Sequence, residues 1–267
     1  MQVIGCQFDI VWEDKAANFD RVHALVKDTS VEPGALIVLP EMFATGFSMR
    51  LETILEPEHG PTQQFLSQLA RETAAYVIGG VATSNRDGRG RNEALVVDPQ
   101  GRDILRYCKL HPFSLGGEDK HFAPGEETCS FGWGPFNVAP FICYDVRFPE
   151  IFRHQTRLGA QVLVVIANWP VARDAHWQTL LRARAIENQA YVIGVNRVGN
   201  DPQLAYAGHS MIIDPRGETL SMAGEAPQII QAQLQIESLL AYRRQFPALR
   251  DMRAEYFAQS ILLARDT

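Results

Sequence analysis

The sequence lacks a block of lysine and arginine residues, and its formal net charge is -6. Proteins that bind nucleic acid or an anionic membrane as their main partner need a basic patch, so both partners are disfavoured. The sequence also lacks any apolar run that approaches about 18 residues, the length that a membrane-spanning helix requires. A small molecule is therefore the expected partner.

Cysteine is scarce, and its spacing excludes two common uses. The four cysteines lie far apart and form no Cys-x-x-Cys pair; they are Cys6, Cys108, Cys129 and Cys143. In a chain of 267 residues this pattern is neither a disulfide framework nor a zinc signature. We expect four reduced thiols, of which at most one has a special role.

The N-terminus lacks the basic and apolar segments of a signal peptide, and residues 1–6 have the pattern of a first strand. With 46% hydrophobic and 21% charged residues, the composition is that of an ordinary globular protein. These features predict a cytoplasmic protein with a single α/β domain over residues 1–267.

What the sequence does contain is an internal repeat. The segment Ala-Tyr-Val-Ile-Gly at 75–79 recurs at 190–194, and the turn Asp-Pro-x-Gly at 98–101 recurs at 214–217. A Gly-Ala pair also precedes an apolar run in each half. Each copy is predicted to form strand, helix, strand, helix, strand and a hairpin, since Asp-Pro-x-Gly favours a type I turn.

Helical periodicity appears twice in each copy. The predicted helices cover 18–27 and 62–73 in the first copy, and 149–158 and 175–189 in the second. The continuous apolar strands between them need cover on both faces. Two such units packed sheet against sheet predict a four-layer α-β-β-α sandwich with an internal pseudo-two-fold. A single doubly wound sheet is the alternative that this pattern leaves open.

Three reactive side chains come directly after apolar runs: Glu41, Lys109 and Cys143. Strand ends are where α/β sheets expose reactive groups, and a carboxylate, an ammonium and a thiol are the parts of a thiol-based acyl-transfer site. Each also has an ordinary interpretation, as a loop carboxylate, a surface lysine and a buried thiol. Residues 144–150 turn the chain from strand to helix, so backbone N–H groups around Cys143 are expected to favour its thiolate.

The motifs that hold these residues resemble the nitrilase, or carbon-nitrogen hydrolase, superfamily. The matching segments are 39–43, 107–111 and 142–150, and further matches occur at 183–189 and 208–210. Several motifs in the family's order make the resemblance specific. It implies an α-β-β-α sandwich, a fold that in this family is usually dimerised.

The resemblance also implies a mechanism of amide hydrolysis. Glu41 would move protons, and Cys143 would form a thioester with the amide carbon. Lys109 and the backbone N–H of Tyr144 would hold the oxyanion. Glu118 would correspond to a second glutamate that positions the lysine and the substrate. Ammonia and a carboxylic acid would be released, and no metal or organic cofactor is required.

Residues 167–177 look most like the omega-amidase branch, which hydrolyses the terminal amide of short 2-oxo acid amides such as 2-oxoglutaramate. Asn168 ends the strand that the repeat pairs with the strand before Glu41, so the loop after it should border the same site. Arg173 would pair with the distal carboxylate of the substrate, or else be a solvated loop charge. The other predicted substrate-binding residues are Phe113, Tyr144, Trp169 and His176.

The sequence is also compatible with other functions. A different carbon-nitrogen hydrolase would act on an N-carbamoyl amino acid, an aliphatic amide or a nitrile, and an interaction scaffold would keep the fold with Cys143 inert. A serine hydrolase is disfavoured because the segment 208–212 lacks the closing glycine of Gly-x-Ser-x-Gly. Nucleotide binding is disfavoured because neither a phosphate loop nor Gly-x-Gly-x-x-Gly is present.

The C-terminal segment from about 238 onward carries more apolar residues than a free tail needs. They concentrate in 242–247, 256–257 and 261–263. We expect this segment to make homodimer contacts, with packing on its own domain as the alternative.

Overall fold

The computed structural model of the protein describes residues 1–84 and 88–253. Its first sheet has six strands in the order β14-β1-β2-β3-β4-β5. β1, β2 and β3 run parallel, and the remaining neighbours are antiparallel. The strands are β1 (Gln2–Gln7), β2 (Leu36–Val38), β3 (Tyr76–Ser84), β4 (Gly90–Val97), β5 (Asp103–Cys108) and β14 (Gln228–Gln233).

The second sheet also has six strands, in the order β13-β12-β9-β8-β7-β6. They are β6 (Phe131–Trp133), β7 (Phe136–Ile142), β8 (Val162–Ala167), β9 (Tyr191–Asn196), β12 (Met211–Ile213) and β13 (Thr219–Met222). A separate hairpin of β10 (Val198–Asn200) and β11 (Ala205–Ala207) lies outside both sheets.

Helices connect the strands, and the longer ones flank the two sheets. They are α1 (Lys15–Lys27), α2 (Leu51–Ile54), α3 (Pro61–Thr73), α4 (Glu118–His121), α5 (Pro149–Arg157), α6 (Asp174–Asn188) and α7 (Ile236–Gln245). The four helices predicted from periodicity are therefore confirmed as α1, α3, α5 and α6. α3 and α5 begin at a proline, whose fixed φ suits a first helical turn and whose missing N–H costs nothing there. Within residues 1–84 and 88–253, no helix combines the length and the apolarity needed to cross a bilayer.

The two sheets repeat one topology, and they confirm the predicted pseudo-two-fold. Read from the β14 end, the first sheet matches the second sheet read from the β6 end, strand for strand. Both predicted turns form, since Gly101 N–H donates to the Asp98 carbonyl at 2.8 Å and Gly217 N–H to the Asp214 carbonyl at 2.9 Å. The chain is a four-layer sandwich, and the alternative of a single doubly wound sheet is wrong.

Cores fill the spaces between the layers. One buried cluster joins side chains of both sheets, such as Val38 and Val96 from the first and Val138 and Ile166 from the second. Another packs α1 and α3 on the outer face of the first sheet. Because strand residues alternate between faces, this arrangement fixes which side chains at the strand ends point between the sheets.

The first part of the C-terminal segment packs on its own domain. Leu239 of α7 is fully buried. Arg243 Nε donates to the Gln189 carbonyl at 2.9 Å, and Gln189 Nε2 donates to the Phe246 carbonyl at 2.7 Å. The apolar residues predicted at 256–257 and 261–263 lie outside the described residues.

Candidate active site

Two of the predicted strand-end residues, Glu41 and Lys109, meet a second carboxylate, that of Glu118, between the sheets. Lys109 Nζ donates to Glu41 Oε1 at 2.9 Å and to Glu118 Oε2 at 2.8 Å. All three side chains are at most 1% exposed. Glu41 follows β2 and Lys109 follows β5, so the sheet places both at one edge, as the sequence predicts.

The symmetry-related strand end completes the environment of Glu41. Asn168, which follows β8, donates its backbone N–H to Glu41 Oε2 at 2.8 Å, and its Nδ2 donates to the Glu41 carbonyl at 2.6 Å. The ends of β2 and β8 are therefore hydrogen-bonded to each other across the pseudo-two-fold. This contact fixes the orientation of the Glu41 carboxylate.

Asn92 completes a ring of hydrogen bonds in this cluster, and it was not among the residues predicted from the sequence. Its Nδ2 donates to Glu41 Oε1 at 2.7 Å and to Glu118 Oε1 at 2.8 Å. Asn92 lies on β4 with the same parity as Ala94 and Val96, which face the other sheet. A polar residue on the buried face of an alternating strand is the signal that could have found it.

Burial and charge act in opposite directions in this cluster. Burial alone would lower the pKa of Lys109, but the carboxylates of Glu118 and Glu41 raise it well above its ordinary value. Burial raises the pKa of the Glu118 carboxyl, against the opposing effect of Lys109. Lys109 is therefore a permanent ammonium beside two carboxyl groups.

Cys143 begins a turn directly after β7. It is the first residue of a 3₁₀ helix (Cys143–Arg147), and α5 follows from Pro149 as predicted. Its φ of +48° is in the left-handed region, which non-glycine residues rarely adopt and which tends to occur at functional sites. The Sγ atom lies 3.9 Å from the Asn168 carbonyl oxygen, beside the residue that holds Glu41.

The prediction that the turn after β7 favours the Cys143 thiolate is wrong. Burial raises the pKa of the Cys143 thiol well above its ordinary value, Glu41 raises it further, and Lys109 only partly opposes them. Loss of solvent around the sulfur disfavours the thiolate and outweighs the favourable charge of Lys109. The thiol is protonated at neutral pH and needs a base to become a nucleophile.

Asp145 joins the turn of Cys143 to the strand of Lys109. Its Oδ2 accepts from Tyr107 Oη–H at 2.7 Å and from the Ile142 N–H at 3.1 Å. Its Oδ1 accepts from the His111 N–H at 3.1 Å. Asp145 is fully buried, so these bonds satisfy a carboxylate that would otherwise be costly.

A cavity of about 370 Å³ opens over this cluster. Seven of the predicted site residues line it: Lys109, Phe113, Cys143, Tyr144, Asn168, Trp169 and Arg173. Glu41 and Glu118 lie behind Lys109 and are fully buried. Sequence reasoning missed several lining residues: Trp12, Phe47, Arg50, Arg147, Asp201 and Tyr206.

His176 does not line the cavity. It is exposed, and its Nδ1 lies 3.2 Å from a guanidinium nitrogen of Arg147, which does line the cavity. The predicted contact of His176 with substrate is therefore replaced by a contact with Arg147.

The serine motif is structural, in agreement with the sequence interpretation. Ser210 is fully buried, and its hydroxyl donates to Gln7 Oε1 at 2.8 Å. The neighbouring His209 pairs with Asp174 at 2.8 Å, so the histidine does not activate the serine. Among residues 1–84 and 88–253, no three His, Cys, Asp or Glu side chains are grouped to hold a metal ion.

Comparison with protein families identifies the family to which the chain belongs. The family model described as carbon-nitrogen hydrolase matches residues 3–244. The chain belongs to the carbon-nitrogen hydrolase family. Among the curated relatives of this hydrolase, omega-amidase YafV of Yersinia enterocolitica is 43% identical over 92% of this chain and 94% of its own. The 2-oxoglutaramate amidase of Bacillus subtilis is 32% identical over 95% and 98%.

Solved structures agree with the sandwich fold of this hydrolase. XC1258 from Xanthomonas campestris, a CN-hydrolase superfamily protein with an arsenic adduct in its active site, has a TM-score of 0.89 at 33% identity and covers 95% of this chain and 97% of its own. Nit3 of Saccharomyces cerevisiae, a nitrilase superfamily member, has a TM-score of 0.82 at 28% identity over 92% and 94%. The predicted family and fold are both confirmed.

Proposed function

We propose that this carbon-nitrogen hydrolase is an amidase that hydrolyses the terminal amide of short 2-oxo dicarboxylic acid monoamides, such as 2-oxoglutaramate, through a thioester on Cys143. The observation that carries the proposal is the hydrogen-bonded cluster of Glu41, Lys109 and Glu118 behind a cavity that Cys143 lines. A base, a cation and a thiol at one cavity are what thiol-based acyl transfer requires.

The first half of the reaction forms the thioester. Glu41 takes the proton of the Cys143 thiol, and the sulfur electron pair forms a bond to the amide carbon while the carbonyl electrons move to oxygen. Lys109 Nζ and the Tyr144 N–H donate to that oxyanion, since the first N–H groups of a helical turn have no partner within it. Glu41 then returns the proton to the amide nitrogen, the C–N bond breaks, and ammonia leaves.

The second half releases the acid. Glu41 takes a proton from water, the hydroxide oxygen bonds to the thioester carbon, and the same donors hold the new oxyanion. The C–S bond breaks, and the sulfur recovers the proton from Glu41. Glu118 holds the Lys109 ammonium in place throughout, as its 2.8 Å bond to Nζ suggests. No step requires a metal or an organic cofactor.

Substrate choice is supported by the relatives and by the cavity wall. The two curated relatives described above are an omega-amidase and a 2-oxoglutaramate amidase. Arg173 lines the cavity and lies over the Phe113 ring at 5.4 Å. We assign Arg173 to the distal carboxylate of the substrate, with Phe113 and Trp169 as apolar walls.

An ammonia-release assay across five compounds tests this proposal. They are 2-oxoglutaramate, glutamine, an uncharged aliphatic amide, a nitrile and an N-carbamoyl amino acid. We expect kcat/KM for 2-oxoglutaramate to exceed that for the uncharged amide by about 30-fold or more, because a buried charge pair with the substrate is worth about 2 kcal/mol or more. Faster hydrolysis of the uncharged amide would contradict Arg173 as the anchor, and a preference for the nitrile or carbamoyl compound would replace the proposed substrate.

We also propose that the chain is one catalytic domain and that it forms a homodimer through the side that carries α5, α6 and α7. Exposed apolar side chains lie on this side, namely Leu158, Ile186 and Phe246, of which Phe246 is 57% exposed. Gln189, at the end of α6, donates a hydrogen bond to the Phe246 carbonyl. Light scattering should give twice the mass of 29.9 kDa. A monomer mass would contradict the dimer. A cytoplasmic location remains a prediction from the sequence.

A further inference from the structure

Two arginines in the cavity have no counter-ion among the residues that the structure describes. Lys109 is paired with two carboxylates, and Arg50 at the cavity wall donates from Nε to Glu13 Oε1 at 2.9 Å. Arg147 and Arg173 also line the cavity, yet within residues 1–84 and 88–253 neither forms an ion pair. A guanidinium is always charged and prefers a planar oxygen partner, so both are open to an anionic ligand.

Neighbouring aromatic rings hold the two guanidinium groups in the same part of the cavity. Arg147 lies over Trp169 at 4.8 Å and over Tyr144 at 5.9 Å. Arg173 lies over Phe113 at 5.4 Å. The rings of Phe113 and Tyr144 are themselves in contact, with centroids 5.0 Å apart. The two cations therefore lie on adjoining rings.

Arg147 is held through its side chain and Arg173 through its backbone, in each case by a neighbour that carries no negative charge. A guanidinium N–H of Arg147 donates to His176 Nδ1 at 3.2 Å, and Trp169 Nε1 donates to the Arg173 carbonyl at 2.7 Å. Asp201 also lines the cavity, but its Oδ1 already accepts two backbone N–H groups at 2.7 Å and its Oδ2 accepts from a tyrosine hydroxyl. Asp201 is therefore bonded to groups other than the two arginines, and Arg147 and Arg173 keep guanidinium N–H groups that can donate to a ligand.

We propose that Arg147 is a specificity residue that donates to the 2-oxo oxygen of the substrate, while Arg173 takes the adjoining carboxylate. A 2-oxo acid offers acceptor oxygens on neighbouring carbons, which matches two adjacent guanidinium groups. An ammonium group in place of the oxo oxygen offers only donors and is repelled, so the same pair excludes amino acid amides such as glutamine. This assignment deepens the proposed function and rests on the cavity being the substrate site.

Calorimetric titration with three ligands that cannot be hydrolysed tests Arg147 without any assay of turnover. The ligands are 2-oxopentanoate, pentanoate and L-norvaline, which share a carbon chain and differ at the second carbon. The wild-type protein should bind 2-oxopentanoate about tenfold or more tighter than pentanoate, as expected for a hydrogen bond to a charged group, and norvaline weakest. Arg147→Met keeps the packing against Trp169 and should reduce the preference for the oxo ligand to within about twofold.

Two further variants separate the roles of the arginines. Arg173→Met should weaken the binding of 2-oxopentanoate and of pentanoate by the same factor, because both ligands carry the carboxylate. Arg102→Gln is the matched control, since Arg102 lies outside the cavity and is already paired with Asp98, and it should leave the ratio of the two affinities unchanged. If Arg147→Met does not fold by circular dichroism, Arg147→Gln is titrated in its place with the same expectation.

The proposal is overturned if wild type shows no preference for 2-oxopentanoate, if it binds none of the ligands, or if the preference survives in the Arg147 variants. Failure of the proposed function gives a different pattern. A protein that does not hydrolyse 2-oxoglutaramate but keeps an Arg147-dependent preference refutes the substrate and supports the assignment of Arg147. A protein that hydrolyses 2-oxoglutaramate with no such preference refutes the assignment alone.

Discussion

Cys143→Ala is expected to lower ammonia release from 2-oxoglutaramate by about 10⁴-fold or more, the loss typical of removing an enzyme nucleophile. The reason is positional, since Cys143 is the cysteine among the residues that line the cavity. Alanine removes the sulfur without adding bulk. The rate of ammonia release under saturating substrate, with folding checked by circular dichroism, measures the effect.

Cys108→Ala is the matched control for this loss. Cys108 directly precedes Lys109 in the sequence, but burial raises the pKa of its thiol to about 12 and its Sγ contacts the Ala123 carbonyl. We expect the control to keep near-wild-type activity. Mass spectrometry of a trapped acyl adduct should place the added mass on Cys143. An adduct on Cys6, Cys108 or Cys129, or activity that survives in Cys143→Ala, would refute the thioester mechanism.

Most of the fold could be predicted from the sequence because its two halves repeat. Matching Ala-Tyr-Val-Ile-Gly segments begin β3 and β9, and matching Asp-Pro-x-Gly turns follow β4 and β12. Those repeats, with helical periodicity between them, suffice to predict two similar sheets. They do not decide whether the sheets stack or merge, because that depends on which faces meet in space.

The site was predictable where a reactive residue ends an apolar run, as with Glu41, Lys109 and Cys143. Asn92 was missed because it lies inside β4 and acts only through contacts with residues distant in sequence. Arg147 was missed as a cavity residue because its position depends on the 3₁₀ turn after Cys143. The direction of the Cys143 pKa was predicted wrongly because burial and the charge of Glu41, a residue distant in sequence, raise it, and a local pattern shows neither.

Lys109→Met is expected to lower the free energy of unfolding by about 3 to 5 kcal/mol near pH 7, in addition to abolishing activity. The lysine is the cation that contacts Glu41 and Glu118 at 2.9 and 2.8 Å inside the protein. Methionine fills similar space but leaves two buried carboxyl groups without a counter-charge, and removing one partner of a buried ion pair has this cost. Urea unfolding followed by circular dichroism measures it.

The pH dependence distinguishes this electrostatic cost from a packing defect. Burial raises the folded-state pKa of Glu118 even beside Lys109, and loss of the ammonium raises it further. A carboxyl whose folded pKa is raised stabilises the fold when protonated, below its unfolded value near 4.3, and loses that contribution as pH rises through the folded pKa. The deficit of Lys109→Met should therefore shrink as pH falls from 7 towards about 5.

Two further variants make the prediction specific to the buried cluster. Lys120→Met removes an exposed lysine on the same short helix as Glu118 and should change stability by less than about 0.5 kcal/mol. Lys109→Met combined with Glu118→Gln removes one of the two unpaired charges and should recover part of the lost stability at pH 7. A deficit that is independent of pH and unaffected by Glu118→Gln would mean that Lys109 stabilises the fold through packing, and that the two carboxyl groups tolerate each other without the ammonium between them.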